Sequence, residues 1–170
     1  PLAAAVESIN QSAGSNGEKS HVVYLSPQGK LLNHAKVLEF SRMRNITLVC
    51  GRYGGVDQRF INRYVDEEIS VGDYVLSGGE LAAAILIDSV SRQIPGVLGH
   101  VSSADQDSFS EALGGILEAP QFTRPAEDFE QKVPQILRDG HHAKIQKYRN
   151  SISILVTYLK RPELLKKAAL

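Results

Sequence analysis

The chain repeats one pattern three times: a short apolar run, a glycine-bearing turn, then a segment with apolar residues at helical intervals. The first run is His21-Val-Val-Tyr-Leu25, closed by Ser26-Pro-Gln-Gly29 and followed by residues 31–43, where Leu32, Ala35, Leu38 and Phe40 supply the apolar contacts. The second, Ile46-Thr-Leu-Val-Cys50, ends in Gly51-Arg-Tyr-Gly-Gly55 and leads to a short helix over 56–64 with Phe60 and Ile61 apolar. The third strand is placed on Val71, Tyr74 and Val75, because β-branched and aromatic residues suit a pleated, half-buried surface. Ser77-Gly78-Gly79 ends it, and residues 81–87 are apolar on every side, which predicts a buried helix, not an amphipathic one, with Arg92 near its end.

Before the first run, residues 1–9 read as a helix with Leu2, Ala5, Val6 and Ile9 apolar, and 11–19 as a Ser/Gly/Asn-rich loop. Strands alternating with helices predict an α/β domain with a mostly parallel sheet. Open parallel sheets bind ligands beyond the carboxyl ends of their strands, so the three turns are expected to meet around one ligand. Past Ile94-Pro95-Gly96 the pattern changes. Residues 99–119 read as a linker, and 120–134 as irregular chain anchored by Phe122 and Phe129. A helix over 141–159 follows, with Ile145, Tyr148, Ile152, Leu155 and Leu159 as its apolar stripe and Lys144, Lys147 and Arg149 outside it; Pro162 opens a final short helix over 161–165. No internal repeat is present.

At 170 residues the chain makes one domain, or one with an appendage. Its single cysteine, Cys50, excludes an internal disulfide and points to a reducing compartment. The longest apolar run is too short to span a bilayer, and no basic start leads into an apolar signal segment, so a cytoplasmic protein with no membrane partner is expected. Net charge is zero, yet residues 100–130 hold seven acids against one arginine, while 131–170 hold nine Lys/Arg against Asp139 and Glu163. A basic C-terminal quarter fits a polyanion; it fits a solvated helix face equally well.

The turns narrow the ligand. No G-x-G-x-x-G opens a helix, and no Gly-Lys-[Ser/Thr] occurs anywhere, which excludes the dinucleotide and P-loop signatures. Arg52 is the only cation in the three glycine turns, which disfavours a phosphate-rich cofactor. An adenine-bearing, phosphate-free, cationic molecule fits better, and S-adenosylmethionine is one. Mg2+ is allowed as a requirement for activity, with no protein metal site visible in the sequence.

Several of these stretches also match a known family. Leu25-Ser-Pro-Gln-Gly29, Cys50-Gly-Arg-Tyr53, Ile69-Ser-Val-Gly-Asp-Tyr-Val-Leu-Ser-Gly-Gly-Glu-Leu81, Ile94-Pro-Gly-Val-Leu-Gly99 and Phe122-Thr-Arg-Pro125 resemble, in that order, bacterial tRNA (guanine-N1)-methyltransferase, a SPOUT-class enzyme. The resemblance runs from about Tyr24 to Leu165. It implies an α/β fold whose mostly parallel sheet is tied in a deep trefoil knot, followed by a small helical C-terminal domain. The expected division is a donor-binding domain over 1–99, a flexible linker over 100–119 and a tRNA-binding domain over 120–170. The implied activity is methyl transfer from S-adenosylmethionine to N1 of the guanosine at position 37 of tRNA, beside the anticodon, by a homodimer with its active site at the subunit interface. Carried over by motif, the donor site comprises Tyr24, Leu25, Ser26, Pro27, Gln28, Gly29, Gly51, Gly55, Val71, Gly72, Asp73, Tyr74, Val75, Leu76, Ser77, Gly78 and Gly79. Arg92 matches the family's catalytic arginine. Asp107, in Ser103-Ala-Asp-Gln-Asp-Ser108, matches its catalytic aspartate, which in the family reaches across from the other subunit. Arg124, His142, Lys147 and Arg149 are the expected RNA contacts.

The residue types agree with that chemistry. Guanine N1 becomes nucleophilic as its proton leaves, so Asp107 is the candidate general base. Charge then moves toward O6, where a fixed cation such as Arg92 would be stabilising. Each has a plainer reading, a solvated acid in a polar linker for Asp107 and a helix-terminal cation for Arg92. The chain also departs from the family. Gly54 stands where the second loop usually carries Glu, His141 and Lys144 replace residues commonly Asn or Asp and Glu, and some tens of residues normally precede the position of Pro1. A SPOUT enzyme for another RNA and a module that only binds donor or RNA remain as alternatives.

Overall fold

The computed structural model describes residues 1–12, 19–98, 106–128, 130–166 and 168. The chain divides into two compact units, residues 1–98 and 99–170.

In the first unit α1 (Leu2–Ser12) leads to the central strand β1 (His21–Leu31), α2 (His34–Ser41), β2 (Ile46–Cys50), α3 (Gln58–Tyr64), β3 (Glu67–Ser70) and α4 (Glu80–Ser91). The sheet is parallel in the order β2-β1-β3. It is covered on both faces, as a parallel sheet must be. Val23, Leu25 and Ile69 pack with Val37 and Phe40 of α2 and with Ala82, Ala83, Leu86 and Val90 of α4. On the other face Val22, Tyr24 and Val49 meet Val6 of α1 and Phe60 of α3. Two helices start on side-chain caps: Asn33 accepts from the Lys36 amide at 3.0 Å and Asp57 from the Arg59 amide at 2.8 Å.

β1 is longer than its apolar run. Leu25 and Lys30 both stand opposite Ile69, so residues 26–29 bulge out of the ladder before pairing resumes at Lys30↔Ile69 and continues at Leu31↔Ser70. Gly29 is required there: a Cβ would fall on the backbone of Glu68 and Ile69.

The third strand is not where its β-branched residues point. β3 is Glu67–Ser70, and residues 71–79 form an irregular crossing with Tyr74 53% and Val75 85% exposed. Strand propensity lost to burial here: Ile69 and Ser70 are buried at the sheet, whereas Gly72, at φ 155°, takes the chain out of it. The crossing runs from the β3 edge to the β2 edge, where Arg52 bridges Gly78 and the Gly79 amide donates to the Gly51 carbonyl at 3.0 Å.

The helix expected to be buried all round is buried on one side. Ala82, Ala83, Leu86 and Val90 face the core, while Leu81, Ile85 and Ile87 are exposed.

The second unit contains a two-stranded hairpin, β4 (Glu127–Asp128) with β5 (Gln131–Lys132), then α5 (His142–Lys160) and α6 (Pro162–Leu165). Residues 106–119, drawn above as part of a linker, supply much of its buried interior through Ser110, Ile116 and Ala119; residues 99–105 lie outside the described set. The stripe of α5 also shifts. Ile145, Tyr148 and Ile152 are half-buried, but Leu155 and Leu159 are exposed, and the wholly buried positions are Ser153 and Thr157. Polarity is tolerated because it is satisfied: the Thr157 hydroxyl donates to the Ser153 carbonyl at 2.7 Å and accepts from the Leu117 amide at 3.0 Å. Phe122 is 47% exposed, not an anchor, and Phe129 lies outside the described residues.

Candidate functional site

Three segments meet at the carboxyl ends of the strands and enclose a cavity of about 470 Å3. The bulge of β1 gives one wall through Tyr24, Leu25, Ser26, Pro27 and Gln28. The turn after β2 gives a second, and the crossing gives the third through Val71, Gly72, Tyr74, Val75, Leu76, Ser77, Gly78 and Gly79. Fifteen of the seventeen residues expected to hold the donor line it; Gly29 and Asp73 do not. Gly29 instead serves the β1–β3 contact, as described above.

The walls approach each other closely. A Cβ on Gly79 would lie 2.8 Å from the Cys50 Cα, and one on Gly51 would lie 2.9 Å from the Tyr24 hydroxyl oxygen. Glycine at 79 is therefore demanded by contact between chain segments, since its own φ of −75° suits any residue.

Residue-by-residue expectation missed Arg52, Tyr53, Gly54, Val56, Gln58, Ile61, Ile69, Ser70 and Ala82, which also line the cavity. Arg52 and Tyr53 were legible as parts of the second turn. Tyr53 is fully exposed and sits at φ 59°, a conformation that non-glycine residues rarely adopt. Ile61 and Ala82 carry no signal beyond helical spacing.

Arg52 is the only charged side chain among the described lining residues, and its Nε donates to Glu80 Oε1 at 2.8 Å. That hydrogen bond, followed by Glu80's own backbone amide, holds the Glu80 carboxyl below its ordinary range. Burial, with a smaller contribution from Glu80, pushes the Cys50 thiol up, so Cys50 is a poor nucleophile at the cavity's edge. At the start of α3 the Asp57 carboxyl is pulled down to about 2 by side-chain and backbone hydrogen bonds from Arg59.

The remaining expected residues lie elsewhere. Arg92 caps the C-terminal end of α4, with its amide donating to the Asp88 carbonyl at 3.2 Å, and does not line the cavity. Asp107 is in the second unit, half-buried, its carbonyl accepting from the Ser110 amide. Arg124, His142 and Lys147 are exposed in that unit, while Arg149 is half-buried on the packed side of α5. Among the described residues no group of three His, Cys, Asp or Glu could hold a metal ion, and no helix is long and apolar enough to cross a membrane.

A parallel sheet covered on both faces, with glycine-bearing loops closing a nearly uncharged cleft at its carboxyl edge, defines an α/β protein with a candidate small-molecule site where such sheets bind their ligands. Comparison with known proteins makes this specific. The chain belongs to the tRNA (Guanine-1)-methyltransferase TrmD family, whose model matches residues 1–167. Among curated proteins it is 51% identical to the tRNA (guanine-N(1)-)-methyltransferase of Hydrogenovibrio crunogenus over 96% of this chain and 67% of that protein. The protein of the same name from Nitrosomonas europaea is 53% identical over 97% of this chain and 60% of its own length. That of Ralstonia nicotianae is 50% identical over 99% and 62%. The chain thus spans between 60% and 67% of the length of these relatives.

Proposed function

We propose that the protein transfers a methyl group from S-adenosylmethionine to N1 of the guanosine at position 37 of tRNA, working as a cytoplasmic homodimer. The observation that carries this reading is the coincidence of the cavity walls with fifteen of the seventeen residues drawn from the family's donor motifs. When bound, the donor supplies an electrophilic methyl group. Tyr24 to Gln28, the second glycine turn and residues 71–79 hold it by backbone hydrogen bonds and apolar contact, and the close-packed glycines keep side chains out of its way.

In this reading Asp107 takes the N1 proton as the nitrogen attacks. A free aspartate is a weak base, so this role needs it desolvated or otherwise tuned on substrate binding. Arg92 stabilises the charge that moves to guanine O6, and holding N1 in line at roughly 3–3.5 Å from the methyl carbon supplies the rest of the rate. The exposed apolar residues of α4, Leu81, Ile85 and Ile87, support a subunit interface, and a shared active site would let Asp107 serve the partner's cavity. The crossing of residues 71–79 over the sheet supports the trefoil knot of the SPOUT class. Residues 120–170, with Arg124, His142, Lys147 and Arg149, form the RNA-binding part, and the target base leaves its stack to reach the site.

The test is methyl transfer from labelled donor to tRNA carrying guanine or adenine at the target position. Labelling confined to guanine is expected, and equal labelling of both would sink the reading. Labelling of ribosomal RNA in place of tRNA would favour an enzyme for another RNA, and donor binding without any methylation would favour a binding module. Asp107→Asn is expected to keep donor affinity and lose most turnover; unchanged turnover would remove Asp107 from the role of base.

A further inference from the structure

Asp107 opens a loop that closes on itself. Residues 107–118 begin and end side by side, and hydrogen bonds fasten them there. The Asp107 carbonyl accepts from the Ser110 amide at 3.2 Å, and the Phe109 amide donates to the Ile116 carbonyl at 2.8 Å. The Ser108 hydroxyl joins the two ends twice: it accepts from the Glu118 amide at 3.1 Å and donates to Glu118 Oε1 at 3.4 Å. One residue back, the Leu117 amide donates to the wholly buried Thr157 hydroxyl at 3.0 Å, so the returning end is mounted on α5.

Phe109 shows that the closure is enforced. It sits at φ 74°, where a bulky side chain is rarely found. Such a conformation is costly and persists only where the surroundings over-determine it. The Phe109 amide bond and the two bonds of the Ser108 hydroxyl do so, and they act on the two residues that follow Asp107. With the chain on its carboxyl side held, placing the Asp107 carboxylate reduces to its own two side-chain torsions. A general base must come within about 2.6–3.2 Å of the atom whose proton it takes. An error of about 1 Å can cost a factor of roughly 100 in rate.

We infer that Ser108 is a positioning residue for the methyl transfer: its hydroxyl, bonded twice to Glu118, fixes the loop that presents Asp107 to the N1 proton. This rests on the reading of Asp107 as the base. Ser108 meets no reacting atom in this role and acts through its neighbour's carboxylate.

Single-turnover methylation by the full chain, at saturating donor and tRNA, tests it. The amplitude counts competent molecules, and the rate constant reports the transfer itself. Ser108→Ala should lower the rate constant about tenfold while the donor's Kd holds. Ser108→Thr, which keeps the hydroxyl, should recover most of the loss. In an Asp107→Asn background Ser108→Ala should add nothing, because its effect passes through the carboxylate. A merely structural role would lower the amplitude and leave the rate constant alone, and that result would overturn the proposal. So would a loss that repeats in full without the Asp107 carboxylate, or a threonine variant as slow as the alanine one. Two other results strike earlier and take the proposal with them. A natural rate constant in Asp107→Asn refutes the base reading, and absence of transfer by the natural chain refutes the proposed function; each is read before any Ser108 variant is made.

Discussion

Gly79→Ala places one methyl group where two chain segments already touch. The backbone of Gly79, at φ −75° and ψ −8°, accepts alanine without strain, so the consequence is steric. The new Cβ would sit 2.8 Å from the Cys50 Cα, 3.1 Å from its Cβ and 3.3 Å from the Gly51 nitrogen. Two of those atoms are backbone, held by β2 and by the 3.0 Å hydrogen bond from the Gly79 amide to the Gly51 carbonyl. Reaching ordinary contact requires the crossing and the β2 turn to separate by about half an ångström or more. Overpacking of this kind costs about 1–3 kcal/mol, against a gain of about 0.4–1 kcal/mol from the stiffer unfolded chain. A net loss of about 1–2 kcal/mol lowers the Tm of a domain of this size by roughly 5–15 °C. Gly54→Ala is the internal control, because its Cβ meets nothing within 4 Å and only the unfolded-state gain remains, so its Tm should hold or rise. Differential scanning calorimetry of the first unit's transition reads both. If Gly79→Ala matches the natural protein, or if Gly54→Ala is the less stable of the two, the reasoning from close approach fails.

Three further outcomes follow. Thr157→Val keeps the shape of a wholly buried residue but leaves the Leu117 amide without an acceptor, and should destabilise the second unit by about 1–3 kcal/mol in urea unfolding; an unchanged midpoint would show that this hydrogen bond is dispensable. Cys50, with its thiol pushed up by burial, should react with iodoacetamide at pH 8 more slowly than a free cysteine, and an equal rate would contradict its placement at the end of β2. Asp57 titrates at about 2 when folded, below its ordinary 3.8, so its capping contribution is fully present above about pH 4 and is lost as pH falls through 2. A carboxyl midpoint near 3.8 in carbon-detected NMR would refute the cap.

The fold was legible where residue type and burial agree. The apolar part of β1, all of β2 and the helices of the first unit stand out because their buried positions are apolar. β3 was displaced because two of its four residues, Glu67 and Glu68, are charged, whereas Val71, Tyr74 and Val75 advertise a strand and lie outside one. Glu67 can occupy a strand because Lys36 Nζ reaches it at 2.9 Å, a pairing made between elements and invisible locally. The α5 stripe failed for a related reason: Thr157 is buried for a hydrogen bond to a segment forty residues away. Most of the cavity was legible through motifs, but Ile61 and Ala82 enter it only because their helices turn that way. The roles proposed for Arg92 and Asp107 rest on resemblance alone, since an arginine at a helix end and an aspartate in a polar stretch say nothing by themselves.

One feature of β1 bears on how the cavity meets its ligand. Many binding loops hang between two different elements of the scaffold. Residues 26–29 leave β1 opposite Ile69 and return to it opposite the same residue, so both ends of the bulge are tied to one point of β3. Closing so short an arc costs little chain entropy, and that ordering is complete when the sheet forms, before any ligand is present. This wall of the cavity is therefore preorganised, and association through it loses little conformational freedom. Substitutions that loosen the β1–β3 register would weaken binding through entropy while leaving every contact residue in place.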